Sequence, residues 1–263
     1  MNILWMVFLF IFGAVFGSFA CCQVWRIRKK DKAKFSHCMH CKYQLQWYDN
    51  IPIISWLSLG GKCRKCKKKI GYAEILAEVG LAVAFVLSFV FWPNQDGLLS
   101  TDILEIVKFA LFLIQLTIFT VLFIYDAKWC ELPLGLMLGA LGVAVVFECL
   151  VIWPNFSEFN WLSFVGGLLI LPGFYFVMYK ISNECWVGGG DWILCLPLAV
   201  MLADFWLGLM CVFAANVIGS AVMLPVAIKN KNKKMKVPFG PFLILGFLVV
   251  FFAQELIFNL LVI

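Results

Sequence analysis

Long runs of apolar residues constrain this chain more than any other feature of its sequence. The first run, Ile3–Trp25, contains no charged residue. Since the hydrocarbon core of a bilayer is about 30 Å thick, roughly 20 apolar residues are enough to cross it as a helix. Seven further runs are predicted as spans: 75–92, 104–125, 132–152, 160–180, 191–207, 209–228 and 239–261. The sequence therefore predicts an all-α polytopic membrane protein with about eight transmembrane helices.

The composition agrees with a membrane protein and excludes several other classes. Hydrophobic residues make up 63% of the chain and charged residues 14%, whereas a soluble domain has about 45–50% and about 25%. This composition excludes intrinsic disorder, a collagen-like chain and a small disulfide framework. The unbroken runs argue against a β-barrel, whose strands alternate in polarity. The first run lacks a basic start and a small-residue cleavage site, so it is predicted to be a retained span.

The distribution of positive charge predicts the topology. Of 21 Lys and Arg residues, 13 lie in Arg26–Lys69 and five in the run 229–236. Loops rich in these residues stay in the cytoplasm, and the predicted loops at 93–103 and 153–159 contain none. The 229–236 run should share a side with Lys180, so two spans must separate them. The prediction is eight spans with both termini outside, and the divided charges do not suit nucleic-acid binding.

The segment 26–73 is the one sizeable soluble part of the chain, and it contains two Cys-x-x-Cys pairs. They are Cys38 with Cys41 and Cys63 with Cys66. A segment this short usually needs a metal, a disulfide or a docking surface to fold. Four thiolates suit a tetrahedral Zn²⁺ ion, and a site filled by four protein ligands is structural. A redox dithiol and uncommitted thiols are the alternatives, while the reducing cytoplasm argues against disulfides.

Two histidines lie beside the first cysteine pair. His37 and His40 are predicted to be exposed bystanders, although either could replace a cysteine as a metal ligand.

Two acidic residues lie close to the hydrocarbon core of the membrane, where a charged carboxylate is energetically unfavourable. Asp126 ends the third predicted span and Asp191 opens the sixth, both at the cytoplasmic interface. Carboxylates inside or near the hydrocarbon are candidates for function. Two of them close together share a proton, so that one acts as base and the other as acid. The alternative is that Asp191 caps a helix and that Asp126 pairs with Lys128.

The glycines before Asp191 and the acidic residue Glu78 each allow more than one interpretation. Gly188, Gly189 and Gly190 precede Asp191, and they are either a hinge or a place where the backbone lies close to an extended substrate. Glu78 is one turn into the second span, so it must find a partner or reach water.

The Gly188–Asp191 element resembles the Gly-x-Gly-Asp motif of intramembrane aspartyl proteases. Motifs over most of the chain, in the same order, resemble one branch of that group, the bacterial prepilin leader peptidases, or type 4 prepilin-like leader peptidase/N-methyltransferases. The similar elements are Gly17-Ser18-Phe19, Arg26, Cys38-x-x-Cys41, Trp47–Trp56, Gly61–Cys66, Ile70, Glu78, Asp126 with Pro133, Gly188–Asp191 and Pro238–Leu243.

The resemblance implies a bacterial inner-membrane peptidase whose active site faces the cytoplasm. It would cut the basic leader from type IV prepilins or type II secretion pseudopilins, with Asp126 and Asp191 as the catalytic pair. Family members with the four cysteines often also N-methylate the new N-terminal residue with S-adenosylmethionine. The stretch Asp49–Ser55 would belong to that region. Because no glycine-rich nucleotide loop is visible, the residues themselves support the hydrolase more than the transferase.

The chain departs from the family pattern at three positions. Lys128 stands where the family usually has a second Asp, Leu134 where Asp follows the proline, and Ile193 where Lys follows the second catalytic Asp. None of these changes removes the acidic pair. Lys128 is expected to favour the ionised form of Asp126.

The sequence thus predicts three parts and a set of partners. The parts are a first transmembrane helix at 1–25, a zinc-binding insert at 26–73 and a seven-helix peptidase domain at 74–263. The expected partners are prepilin or pseudopilin substrates and the lipid bilayer, without nucleic acid and with a homo-oligomer left open. Two other functions compete: a zinc-containing membrane scaffold, and a proton-coupled transporter, which needs more midplane acids than the third to fifth spans contain.

Overall fold

A computed structural model of the chain describes residues 2–30, 36–99, 102–182, 187–230 and 237–261. Regular structure in these residues is helical, with isolated antiparallel bridges at His37 with Gln44 and at Lys62 with Lys69. The α-helices are α1 (Asn2–Lys29), α2 (Ile54–Ser58), α3 (Tyr72–Val90), α4 (Gln95–Leu99), α5 (Ile103–Trp129), α6 (Leu134–Ile152), α7 (Trp161–Ser182), α8 (Gly189–Leu202), α9 (Phe205–Asn230), α10 (Gly240–Phe252) and α11 (Gln254–Leu261). Short 3₁₀ turns occupy Trp47–Asp49 and Trp153–Asn155.

The predicted fold class is confirmed. Among the described residues, six helices are long and apolar enough to cross a membrane, namely α1, α3, α5, α6, α7 and α9. Two shorter apolar helices, α8 and α10, occupy the positions of the sixth and eighth predicted spans. Most of the basic run at 229–236 lies outside the described residues.

The break between the sixth and seventh predicted spans is well defined. Ala203 ends α8 with φ of 50°, and the Asp204 carboxylate then accepts hydrogen bonds from the backbone N–H groups of Trp206 and Leu207 at 2.7 and 3.1 Å. Asp204 therefore caps the start of α9, as Asp commonly does. The Ser163 hydroxyl donates to the same carboxylate at 2.6 Å.

The chain forms two compact units, Met1–Gln95 with Leu116–Ile124 and Asp96–Gln115 with Tyr125–Ile263. In the first unit α1 packs tightly on α3. A Cβ atom on Gly13 would lie 2.7 Å from the Cα of Ala82, and one on Gly17 would lie 2.6 Å from the Cα of Glu78. Small residues four apart allow two membrane helices to approach this closely.

In the second unit α8 is the central helix. It contacts α6, α7, α9 and α10, and its Leu194, Cys195 and Leu198 side chains are fully buried. The helix that Asp191 opens is thus surrounded by protein on several sides. The predicted boundaries of the insert at 26 and 73 remain a prediction.

Candidate active site and metal centre

Asp126 lies in the last turn of α5, and its carboxylate is held by a distant glycine. Gly240 N–H, at the start of α10, donates to Asp126 Oδ2 at 2.9 Å. A Cβ on Gly240 would lie 2.8 Å from that oxygen and 3.4 Å from Leu194 Cδ2, so only glycine fits there without displacement. Asp126 is just 4% exposed, which makes this hydrogen bond its main compensation for burial.

Asp191 is the third residue of α8, and it is held by the glycine that precedes the helix. Gly188 N–H donates to Asp191 Oδ2 at 2.9 Å, and Asp191 N–H returns a bond to Gly188 O at 3.1 Å. Asp191 therefore closes the first turn from within the helix, where an acidic side chain is also favoured by the helix dipole. Its side chain is 6% exposed.

The glycines before Asp191 are closely packed. A Cβ on Gly190 would lie 3.0 Å from Leu132 Cβ, and one on Gly189 would lie 3.4 Å from the Tyr179 ring. Their small size lets the backbone at the start of α8 lie against these two side chains.

The structure brings the two predicted acids together. Gly240 links them: it holds Asp126, and a Cβ on it would lie 3.4 Å from the side chain of Leu194, one turn after Asp191. Two buried carboxyl groups that lie close to one another cannot both ionise easily, so a pair of this kind can share one proton. Such a pair can supply a base and an acid in the same site.

The supporting residues named from the sequence have other positions. Lys128 is half-buried, two residues after Asp126 on α5. Glu78 belongs to the first unit, where its Oε2 accepts a hydrogen bond from Ile53 N–H at 2.7 Å. Ile53 has φ of 62°, an unusual conformation for a β-branched residue, and Glu78 holds this turn in place.

Asp49 ties the loop of the insert to the second cysteine pair. Its side chain is 2% exposed and forms a 2.7 Å ion pair with Arg64, which lies between Cys63 and Cys66. The Arg64 guanidinium also stacks over the Tyr48 ring at 4.9 Å. Asp49 therefore has a structural contact that joins two parts of the insert.

The four predicted cysteine ligands form a compact cluster. All four Sγ atoms lie within 4.8 Å of one another, with 3.9 Å between Cys38 and Cys66 and 4.0 Å between Cys41 and Cys63. A tetrahedral zinc ion with Zn–S bonds of about 2.3 Å needs sulfur atoms about 3.8 Å apart. The residues thus fit a tetrahedral metal ion with four sulfur ligands.

The two cysteine pairs have the same backbone geometry. The first cysteine of each pair exchanges backbone hydrogen bonds with the segment that follows: Cys38 with Lys42 and Tyr43, and Cys63 with Lys67 and Lys68. The residue after each second cysteine has φ of 58°. Within the second pair, the Cys66 backbone N–H lowers the pKa of the Cys63 thiol to about 7, whereas burial and the neighbouring thiols raise the pKa of Cys66 to about 11.

Sequence reasoning missed the roles of three residues. Gly240 gave no sign of its role, because the residue it holds is 114 positions away. Glu148 on α6 and Gln115 on α5 are buried, and Glu148 Oε1 and both polar atoms of the Gln115 side chain lack hydrogen-bond partners among the described residues. A lone Glu within a predicted span is the signal that could have indicated Glu148.

Comparisons with known proteins agree with this description. Residues 11–92 match the family model of the bacterial peptidase A24 N-terminal domain. The chain is 28% identical to a type 4 prepilin-like proteins leader peptide-processing enzyme of Escherichia coli O78:H11, covering 93% of this chain and 92% of the relative. It is 25% identical to a prepilin leader peptidase/N-methyltransferase of Vibrio cholerae, covering 97% and 100%. A Dichelobacter nodosus protein with that name is 29% identical, covering 84% and 72%.

The chain is thus a helical membrane protein whose residues 11–92 are similar to the bacterial peptidase A24 N-terminal domain. The chain is similar to bacterial prepilin leader peptidases over most of its length, and the resemblance predicted from its motifs is confirmed. The prediction of an enzyme of this kind agrees with the names of these relatives. No solved structure matches the chain.

Proposed function

We propose that this protein is a membrane aspartic endopeptidase that removes the basic leader from type IV prepilins or type II secretion pseudopilins. The observation that carries this proposal is the buried pair of Asp126 and Asp191, each held by a glycine N–H. The names of relatives that match more than nine-tenths of the chain support the substrate class. Cleavage takes place at the cytoplasmic face of the bacterial inner membrane, where the basic loops predict both acids to lie.

The proposed mechanism divides two tasks between the carboxyl groups. The ionised one removes a proton from water, and the water oxygen attacks the scissile carbonyl carbon. The protonated one donates its proton to the carbonyl oxygen and later to the leaving amine. Because the site is largely shielded from solvent, the electrostatic interaction between the two groups is stronger than in water.

The four cysteines hold a structural Zn²⁺ ion in this proposal. The ion would stabilise the insert through four thiolates, with no open position for substrate. We also propose that the protein N-methylates the new N-terminus after cleavage. The N-methyltransferase names of the relatives support this second activity.

Replacing either acid by its amide tests the peptidase. Asp126→Asn and Asp191→Asn keep the size of the side chain but remove its acid–base chemistry. We expect each to lower the rate of leader removal from a prepilin by about 100-fold or more, measured in membranes that contain equal amounts of inserted protein.

Asp96→Asn is the matched control, because Asp96 is exposed and lies near the start of α4. It should cleave at the wild-type rate. Wild-type cleavage by either active-site variant would contradict the mechanism and favour the scaffold, in which these acids only cap helices.

A further inference from the structure

The insert contains an uncharged apolar segment. Residues 51–61 carry no charge, although 13 of the 21 Lys and Arg residues lie in Arg26–Lys69. The segment includes α2, on which Ile54 and Leu57 are three positions apart and therefore on the same side of the helix. They are 63% and 60% exposed, whereas Ser55 is buried. Because the exposure of large apolar side chains to water is unfavourable, this side of α2 needs a cover.

Glu78 fixes the depth of α2 beside α3. Its Oε2 atom accepts a hydrogen bond at 2.7 Å from the N–H of Ile53, the residue directly before α2. Glu78 is six residues after Tyr72, the first residue of α3, which is about 9 Å along the helix axis. Since α3 is long and apolar enough to cross a membrane, the start of α2 lies beside the second turn of a membrane-spanning helix.

The neighbouring helix α1 gives the same depth. A Cβ atom on Gly17 would lie 2.6 Å from the Cα of Glu78, so the two residues are at the same level. Gly17 is eight residues, or about 12 Å, before Trp25, the last residue of the uncharged run Ile3–Trp25. The level of Glu78, and with it the turn before α2, therefore lies inside the apolar run of α1 rather than at its end.

Aromatic side chains connect α2 to an exposed side of α3. The ring of Trp56 lies 5.7 Å from that of Tyr72. Tyr72 and Leu76, one turn apart on α3, are 73% and 70% exposed. Trp and Tyr are typical of the interface between a bilayer and water. The short helix α2 thus packs beside a helix face that lipid covers when α3 spans a membrane.

The residues that follow α2 are rich in positive charge. Lys62, Lys67, Lys68 and Lys69 are all exposed. Positive side chains beside a membrane attract its anionic lipids. This part of the insert therefore suits the head groups of anionic phospholipids, and the apolar side of α2 suits their acyl chains.

We propose that α2 enters the bilayer, with Ile54 and Leu57 among the acyl chains of anionic phospholipids and the lysines at their head groups. The insert, which the sequence predicts to be soluble, is then held at the membrane by α2 as well as by α1 and α3. Gly61 N–H donates to Trp56 O at 2.9 Å, two residues before Cys63, so this anchor extends to the second cysteine turn. The membrane surface thus fixes one side of the candidate metal centre.

A second copy of the chain is the main alternative cover for this side of α2. It would shield Ile54 and Leu57 from lipid, whereas the proposal places them in contact with it. Nanodiscs that each hold one chain separate the two cases, because they contain no second copy.

The experiment is photolabelling of the full chain in such nanodiscs, made with anionic phospholipids that carry a diazirine halfway along an acyl chain. Mass spectrometry then locates the adducts. We expect adducts at Ile54 and Leu57 to be as frequent as at Val83, an exposed residue of α3. Gln44, an exposed residue near the first cysteine pair, should remain unlabelled.

Leu57→Asp tests the same contact by substitution. Because a charged side chain is unfavourable in hydrocarbon, labelling at Ile54 should fall about tenfold. Gln44→Glu is the matched control, since it adds the same charge to an exposed residue of the insert, and it should leave labelling at Ile54 unchanged. Equal amide hydrogen exchange in the cysteine turns of both variants shows that the insert is folded in each.

Three results would overturn the proposal. The first is labelling of Ile54 and Leu57 no higher than that of Gln44 while Val83 is labelled. The second is unchanged labelling at Ile54 in Leu57→Asp. The third is labelling that disappears in nanodiscs holding two chains, which would assign this side of α2 to a second copy. None of these readouts depends on peptidase or methyltransferase activity.

Discussion

At the scale of single residues, the candidate active site depends on two backbone N–H groups. Each carboxylate accepts a hydrogen bond from a glycine at or next to the start of a short helix, Gly240 for Asp126 and Gly188 for Asp191. A hydrogen bond to a charged group is worth about 1.5–3 kcal/mol. These bonds hold two buried acids that would otherwise lack compensation for their desolvation.

Gly240→Ala is predicted to reduce leader cleavage. The added Cβ would meet Asp126 Oδ2 at 2.8 Å, so the carboxylate must move away from its N–H donor. Since a displacement of about 1 Å can cost about 100-fold in rate, we expect cleavage to fall by about tenfold to 100-fold. The measurement is the rate of leader removal in membranes with equal amounts of inserted protein.

Gly139→Ala is the control for this substitution. Gly139 lies within α6, and a Cβ there would meet no atom within 4 Å. Alanine stabilises an open helical position, so this variant should cleave like the wild type. Equal activity of both alanine variants would show that the Asp126 carboxylate tolerates the added methyl group.

The sequence could predict the acids but not what holds them. Asp126 and Asp191 stand out because carboxylates are rare in apolar runs, and Asp191 also follows three glycines. The partner of Asp126 is 114 residues away, at the start of α10, so only tertiary packing brings the two together. Glu78 was recognised as needing a partner, but the choice of Ile53 N–H depends on an unusual turn that no local pattern indicates.

At the scale of elements, the insert was more predictable than the active site. Its cysteine spacing is local, and each pair builds the same small turn from neighbouring residues. The four sulfur atoms therefore converge much as the spacing predicted. Helix ends were less predictable: α9 begins at Phe205, four residues before the predicted 209, because Asp204 caps it.

Removing the metal is predicted to loosen the insert. The purified protein should contain one zinc ion per chain, measured by elemental mass spectrometry. A chelator should release the ion and increase amide hydrogen exchange in the two cysteine turns, since ligand binding and folding are coupled at such sites. Acidification should also release it, because protons compete with the metal for thiolates.

A single substitution checks that these four sulfur atoms are the ligands. Cys66→Ser should lower the zinc content, whereas Cys149→Ser should not, since Cys149 is an exposed residue of α6 outside the cluster. Full zinc content in Cys66→Ser would contradict the proposed ligand set.

At the scale of the whole molecule, positive charge predicts how the chain crosses the membrane. Thirteen of the 21 Lys and Arg residues lie in Arg26–Lys69, and the predicted external loops contain none. Trypsin cuts after Lys and Arg, so it reports which side these residues face.

We predict that trypsin cuts the chain in inside-out membrane vesicles and leaves it intact in right-side-out vesicles. Cleavage within Arg26–Lys69 is detected by mass spectrometry of the fragments. Fragments from this segment in right-side-out vesicles would reverse the topology and remove the active site from the cytoplasmic face.

Because α8 and α10 are short, we expect the thickness of the bilayer to affect the candidate active site. With 14 and 13 residues, they are about 21 and 20 Å long, while the hydrocarbon layer is about 30 Å thick. Such hydrophobic mismatch is relieved by local thinning of the bilayer, at a cost of fractions of a kcal/mol per Å. Both carboxylates are held at the starts of these helices, so we expect lipid chain length to change the access of water to them.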